Sequence, residues 1–249
     1  MKLPLVSIIT VVFNGEQHLE KTIKSIIGQT YNQIEYIIID GASKDHTVEI
    51  IKKYDSKINY WVSEKDRGIY DAMNKGLNIS KGEYVWFINA GDEIYSNDTL
   101  KNIFEKSETN ADVYYGETEE MKESGEKIGM RRLKTPETLS WESLSMGMVI
   151  CHQSIIIKKV KCLNYNIKYI YCADIDWIIK ALKKSITITN TKLILSKFKH
   201  GGTSRNNIVN SLLERFKIMV DHYGFYRTVF NHLIIGAKFS IYVLRNRRY

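Results

Sequence analysis

The chain opens with a β-branched run at 5–12, apolar except for Ser7 and Thr10. It is followed at 15–29 by hydrophobic residues spaced for one helix face: Leu19, Ile23, Ile26 and Ile27. A continuous β-branched run marks a strand covered on both faces, and spacing of three to four residues marks an amphipathic helix. The alternation then repeats. A second apolar run at 34–39 ends on Asp40-Gly41, and Ser43-Lys44-Asp45 supplies capping groups for a helix reaching 54. Residues 58–62 read as a short strand, 68–79 as a helix, and 83–88 as a strand stopping at Asn89-Ala90-Gly91-Asp92. This order predicts an α/β fold with a mostly parallel central sheet flanked by helices.

After Asp92 the pattern loosens. It predicts a helix at 98–107, a strand at 111–115 and a charged, glycine-containing excursion at 117–132 that suits a hairpin. A strand at 154–157, a helix at 173–184, a strand at 186–196, a loop at 200–204 and a helix at 206–223 follow. The stretch 225–244 is amphipathic, interrupted by Arg227, His232 and Lys238, and is trailed by Arg245, Arg247 and Arg248. Two readings stay open for it: a helix lying on an anionic membrane face, or one packed on the domain or on a second copy in a homo-oligomer. No run reaches the roughly twenty apolar residues of a membrane-spanning helix. The simplest division is one domain over 1–204 with a C-terminal helical extension over 205–249.

Composition narrows the partners. With 44% hydrophobic and 26% charged residues, the chain of 249 residues has the balance of a folded globular protein. Its net charge of +8 calls for an anionic partner. The basic residues are dispersed rather than gathered on one stripe, which argues against nucleic acid. Cys151, Cys162 and Cys172 form no CxxC pair, so reduced thiols in a cytoplasmic protein are expected, the membrane contact being peripheral. The opening residues lack the long apolar region of a signal peptide and read as a first strand.

The candidate chemistry lies in polar residues at strand ends and loops. Asp40, Asp66, Asp92 and Asp174 occupy such positions, and strand-end carboxylates of an open α/β sheet converge on one crevice. Each alone also suits a cap or a turn. The segment 63–92 adds Glu64, Arg67, Asp71, Asn74 and Lys75. Neither a GxGxxG nor a GxxxxGK[ST] motif occurs, so nucleotide binding through those two loops is excluded. A carboxylate at Asp40 suits a base N–H or ribose hydroxyls, and a metal at the Asp92 turn suits a diphosphate.

Seven markers in order resemble the family 2 glycosyltransferases, enzymes of the GT-A fold, especially bacterial members that build surface polysaccharides. They are the run from Ser7 to Asn14, the segment from Asp40 to Thr47, Asp66 through Gly76, Asn89-Ala90-Gly91-Asp92, His152-Gln153-Ser154, Ala173 through Trp177, and Gly201-Gly202-Thr203-Ser204. The resemblance spans roughly residues 4–204. It implies an inverting, single-displacement transfer from a nucleoside-diphosphate sugar, UDP foremost, to a saccharide or lipid-linked saccharide. It implies Asp174 as catalytic base and Asp92 as ligand of Mn²⁺ or Mg²⁺. Thr10, Val12, Asn14 and Asp40 would line the nucleoside pocket, with Arg67, Asp71, Asn74 and Lys75 beside the donor. His152, Gln153 and Asp176 would serve the acceptor side or support the site. The chain departs from the usual Asp-x-Asp, since Asn89, Gly91 and Asp92 leave one carboxylate; His200 is the candidate additional ligand. Met73 stands where an Arg is common, and Ala173 where a Glu precedes the base. Two alternatives are a degenerate sugar-nucleotide-binding subunit and a sugar nucleotidyltransferase; the latter lacks its Gly-rich basic loop after the first strand.

Overall fold

A computed structural model describes residues 3–105, 110–200 and 207–246. Strand β1 (Val6–Val12) is buried along its whole length, which places it at the centre of the sheet's parallel half. It pairs in parallel with β2 (Ile34–Asp40) and β4 (Tyr84–Phe87), and β2 pairs in parallel with β3 (Tyr60–Ser63). Parallel neighbours require crossovers; α1 (Leu19–Ile27), α2 (Thr47–Lys53) and α3 (Ile69–Ile79) supply them. Beyond β4 the sheet becomes mixed. Strand β8 (Ile155–Lys158) is antiparallel to both β4 and β6 (Val113–Met121), and β6 is parallel to β9 (Ile188–Lys199). Strand β5 (Glu93–Ile94) closes the edge antiparallel to β9, and β7 (Lys127–Met130) hairpins onto β6. The order is β3-β2-β1-β4-β8-β6-β9-β5.

Strand alternation sorts the core into two layers. Ile9, Val11, Ile37 and Ile39 face Met73 and Leu77 of α3 and Trp177 and Ile178 of α5 (Ala173–Lys184). Val6, Ile8, Val12 and Ile38 face Leu19, Ile23 and Ile26 of α1, Ile51 of α2, and Leu100 of α4 (Thr99–Phe104). Reversal of strand order beside β1 leaves a crevice at the C-terminal ends of β1 and β4.

The second half differs from expectation in detail. The strand expected at 111–115 continues to Met121, because β9 pairs along it across register shifts near Tyr115 and Glu117. The excursion at 117–132 is therefore the β6–β7 hairpin, turned at Gly125 with φ +87°. Strand β5 and the 3₁₀ turn Trp141–Met146 are too short to leave a period in the sequence. Helix α6 (Ile208–Tyr223) sends Ile218 and Met219 into the first core layer, and α7 (Phe225–Asn246) follows it. Tyr223 stacks on Trp141 at 5.4 Å. No helix among the described residues is long and apolar enough to cross a membrane. The loop at 201–204, the end of the helix expected at 98–107, and Arg247 and Arg248 lie outside the described residues.

Helix α3 sits close against the sheet because Gly76 has no side chain. An added Cβ there would meet Cγ2 of Ile9 at 2.5 Å. Gly76→Ala is expected to lower unfolding stability by about 1–3 kcal/mol, since overpacking outweighs the gain in helix propensity. Urea denaturation checks this, and unchanged or higher stability would contradict the packing.

Candidate active site

Asp92 reaches the crevice through a turn. Gly91 adopts φ +103°, and the Asp92 amide donates to the Asn89 carbonyl at 2.9 Å. Thr22 of α1 braces the turn from beneath: its hydroxyl donates to the Asp92 carbonyl and accepts the Gly91 amide. The carboxylate is buried, receiving Gln153 Nε2 at 2.7 Å and the Lys199 amide at 3.1 Å. Burial exceeds these donors, and its pKa rises to about 7. Asn89 Oδ1 is buried nearby without a hydrogen-bond partner.

Asp174 stands in the first turn of α5. Its Oδ1 accepts the Tyr70 hydroxyl at 3.3 Å and the Ile175 amide at 3.0 Å. Desolvation raises its pKa above the usual carboxylate range, against the Ile175 amide, the Arg215 charge and Tyr70. An aromatic wall backs it: Tyr70 stacks on Tyr165 at 5.6 Å, and Tyr165 on Trp177 at 4.9 Å. His152 Nε2 sits 2.8 Å from the Tyr165 hydroxyl, and its ring touches Phe87 and Trp177. Burial lowers the His152 pKa to about 4, so it is a neutral part of that wall. From α6, Glu214 accepts the amides of Ile170, Tyr171 and Cys172 at 2.6–2.7 Å, fixing the approach to α5.

Asp92 and Asp174 line one cleft of about 530 Å³, together with His152, Gln153 and His200. His200 Nε2 lies 3.2 Å from Glu120, which lines the same cleft. No group of three or more His, Cys, Asp or Glu side chains fit to hold a metal occurs among the described residues.

The residues assigned from sequence to the donor do not line this cleft. Thr10 is fully buried, donating to the Ile88 carbonyl and accepting from Tyr36, and Val12 is core. Asp40 turns inward, accepting both Ser43 groups and the Ser63 hydroxyl. Asn74 clamps the Tyr165 backbone through both amide atoms. Lys75 pairs with Glu64, and Arg67 with Asp71, whose pKa that hydrogen bond lowers. Asp176 is buried between His222 and Lys180 and faces away from the cleft. Asn14, at φ +49°, ties the loop after β1 to Ser43 and Lys44. At that edge the groups open to a ligand are Phe13, 64% exposed, and Asp66, whose carboxylate overhangs Gly41. Phe13 went unnoticed in the sequence because it reads as the last apolar residue of a strand.

Solved structures share this architecture. A structure of Staphylococcus aureus TarS residues 1–349 in complex with UDP-GlcNAc aligns with TM-score 0.68 at 17% identity, over 88% of this chain and 67% of that one. The chain spans 66% of another TarS 1–349 structure. The mannosyltransferase PcManGT of Pyrobaculum calidifontis, in complex with GDP-Man and Mn²⁺, aligns with TM-score 0.68 at 13% identity, over 94% and 72%. The fold is the GT-A fold of glycosyltransferases. An uncharacterized glycosyltransferase of Mycobacterium tuberculosis is 27% identical over 96% of this chain and 93% of its own length. A PGL/p-HBAD biosynthesis glycosyltransferase of Mycobacterium bovis is 26% identical over 84% and 82%. The chain belongs to glycosyl transferase family 2, whose sequence model matches residues 7–164.

The buried His152 gives stability a pH signature. Between about pH 6.5 and 4 the unfolded chain binds a proton at this residue that the folded chain refuses, so stability falls as pH drops through that window. The full effect is on the order of 3 kcal/mol. Denaturant unfolding across pH 4–7 is expected to show a shallower slope for His152→Gln; an identical slope would remove the assignment.

Proposed function

We propose that the protein is an inverting glycosyltransferase. It moves a sugar from a nucleoside-diphosphate sugar, UDP foremost, to a hydroxyl of a saccharide or lipid-linked saccharide in surface polysaccharide or glycolipid synthesis. The observation that carries this reading is the sharing of one sugar-sized cleft by Asp92 and Asp174. Such a transfer needs charge stabilisation at the departing diphosphate and a base at the incoming hydroxyl. Asp174, desolvated and aligned by Tyr70, takes the proton of the acceptor hydroxyl. Asp176 is held away by His222 and Lys180, which leaves no second carboxylate on that helix turn to act as nucleophile and favours single displacement. At the nucleoside end, Phe13 offers a face for the base and Asp66 an acceptor for its N–H or the ribose. Thr10, Val12 and Asp40 form the floor; Asn14, Arg67, Asp71, Asn74 and Lys75 shape the loops above it.

The residues at the Asp92 turn fit a divalent cation. Burial of the carboxylate outweighs the Lys199 ammonium that acts on it, and Asn89 Oδ1 is a buried oxygen without a partner. Asp92 and Asn89, with His200 beside them in the cleft, would hold Mn²⁺ or Mg²⁺, leaving remaining positions to diphosphate and water oxygens. Bound there, it neutralises the leaving diphosphate as a Lewis acid. Gln153 and the Lys199 amide orient the carboxylate for that contact.

The acceptor reading draws on α6. Ile208, Val209, Leu212 and Leu213 are 54–71% exposed there. Ile170, exposed at the cleft mouth, donates its amide to Glu214 of the same helix. An apolar surface beside a cleft mouth suits peripheral docking on an anionic membrane that carries a lipid-linked acceptor.

Nucleoside diphosphate release from a panel of nucleotide sugars tests the reading. Asp174→Asn is expected to cut turnover by about 10²–10⁴-fold while the UDP dissociation constant from calorimetry stays within a few-fold; undiminished turnover would remove the base. Asp92→Ala or EDTA is expected to abolish metal-dependent turnover. Because a proton competes for Asp92, Mn²⁺ affinity should fall as pH drops below about 7. Full activity in EDTA, or pH-independent Mn²⁺ binding, would remove the metal assignment.

A further inference from the structure

Two guanidinium groups line the cleft without a role in the scheme above. Arg215 projects from α6, and Arg131 follows directly on β7. Arg215 Nε and Arg131 Nη1 are both buried and have no hydrogen-bond partner. Neither side chain forms an ion pair with a carboxylate among the described residues. Arg131 is held by the Met148 carbonyl, which takes its Nη2 at 2.6 Å. Glu214, the residue before Arg215, directs its carboxylate to the amides of Ile170, Tyr171 and Cys172 and forms no ion pair with the guanidinium. A buried guanidinium with unmade hydrogen bonds is costly unless an anion completes it.

The position of Arg215 says which anion. Its charge acts on Asp174 and on Cys172, the residue preceding α5. At the Asp92 end the cationic side chains are instead Lys199, with its amide on Asp92 and its Nζ 2.9 Å from His18, and Arg131, whose charge acts with that of Asp92 on Cys151. Arg215 is thus associated with the base, where the acceptor hydroxyl must sit. We propose that Arg215 binds an oxyanion carried by the acceptor, so that the preferred acceptor bears a phosphate or carboxylate close to its reactive hydroxyl. A planar guanidinium grips either group through paired N–H donors. The site also offsets the repulsion that such an acceptor would meet from Asp174.

This deepens the transferase reading and rests on it. The test uses the full chain saturated with UDP and Mn²⁺, so that the donor diphosphate site is filled. Methyl glucuronide is compared with methyl glucoside, and glycerol 1-phosphate with glycerol, by ligand-observed NMR titration. The anionic member of at least one pair should bind at least tenfold more tightly than its neutral partner, and the stronger pair distinguishes carboxylate from phosphate. Arg215→Gln should erase that preference with UDP affinity within about twofold of wild type, and Arg215→Lys should restore part of it. Equal binding of charged and neutral probes to the wild-type chain would overturn the proposal whatever the variants do. So would a tenfold loss of UDP affinity in Arg215→Gln, which would assign the group to the donor diphosphate. Absence of UDP binding to the wild-type chain would sink the transferase reading instead, and the probe pairs without UDP would still judge the anion site.

Discussion

The buried carboxylate of Asp92 is the constraint around which the cleft is organised. A charge removed from water must be met by fixed donors or lose its charge. Here the donors come from a side chain 61 residues away and a backbone amide 107 residues away. The loop after β4, the turn before β8 and the end of β9 are therefore tied at a single group. Thr22 adds α1 to the same knot by holding the turn through both of its hydroxyl bonds. All of these donors are neutral. They orient the carboxylate without supplying countercharge, and its pKa stays raised as a result. A cation arriving with a diphosphate would find the geometry already set, which is the economy of a preorganised site.

The parallel half of the fold was legible because its signals are periodic. Apolar runs of strand length, helical spacing between them and carboxylates at their ends placed β1 to β4 and the turn carrying Asp92. The partners of polar residues were not legible in the same way, because periodicity does not encode where such side chains point. Asp40 ends a strand, yet its carboxylate is consumed by Ser43 and by Ser63 from the neighbouring strand. Asn74 looks like a donor-facing amide on a helix, but its partner is the backbone of Tyr165, 91 residues on. Lys75 holds the loop at Glu64 rather than facing the cleft. In each case a long-range partner decided the outcome. Arg131 and Arg215 escaped notice for a related reason: one lay in a segment read as a charged excursion, the other in a segment read as an extension.

Helix α6 changes the picture of that C-terminal region. The boundary expected at residue 204 would set it apart from the cleft, while its contacts join it to the site. One turn of α6 sends Glu214 to the backbone leading into α5 and Arg215 into the cleft beside Asp174. Tyr169 and Asp221 make a further tie at 2.9 Å, and His222 holds Asp176 out of the way. The helix thus orders the turn that carries Asp174 and supplies a cation that acts on it. Its exposed apolar residues lie on the same element, so a surface that approaches α6 also approaches Asp174.

The two carboxylates make opposite use of the same physics. Burial raises the pKa of both, but what each must then do differs. On the proposed assignment of Asp174 as base, a raised pKa strengthens the proton acceptor, and the Ile175 amide, Arg215 and Tyr70 favour its ionised form. For Asp92 a raised pKa is an unmet demand for positive charge, since its donors are neutral and the nearby ammonium of Lys199 contributes less than burial takes away. Arg215, whose charge acts on Asp174, is thus built into the chain, while the cation proposed for Asp92 would come with the substrate. In such an arrangement the diphosphate end acquires its full charge complement only when donor and cation are both bound.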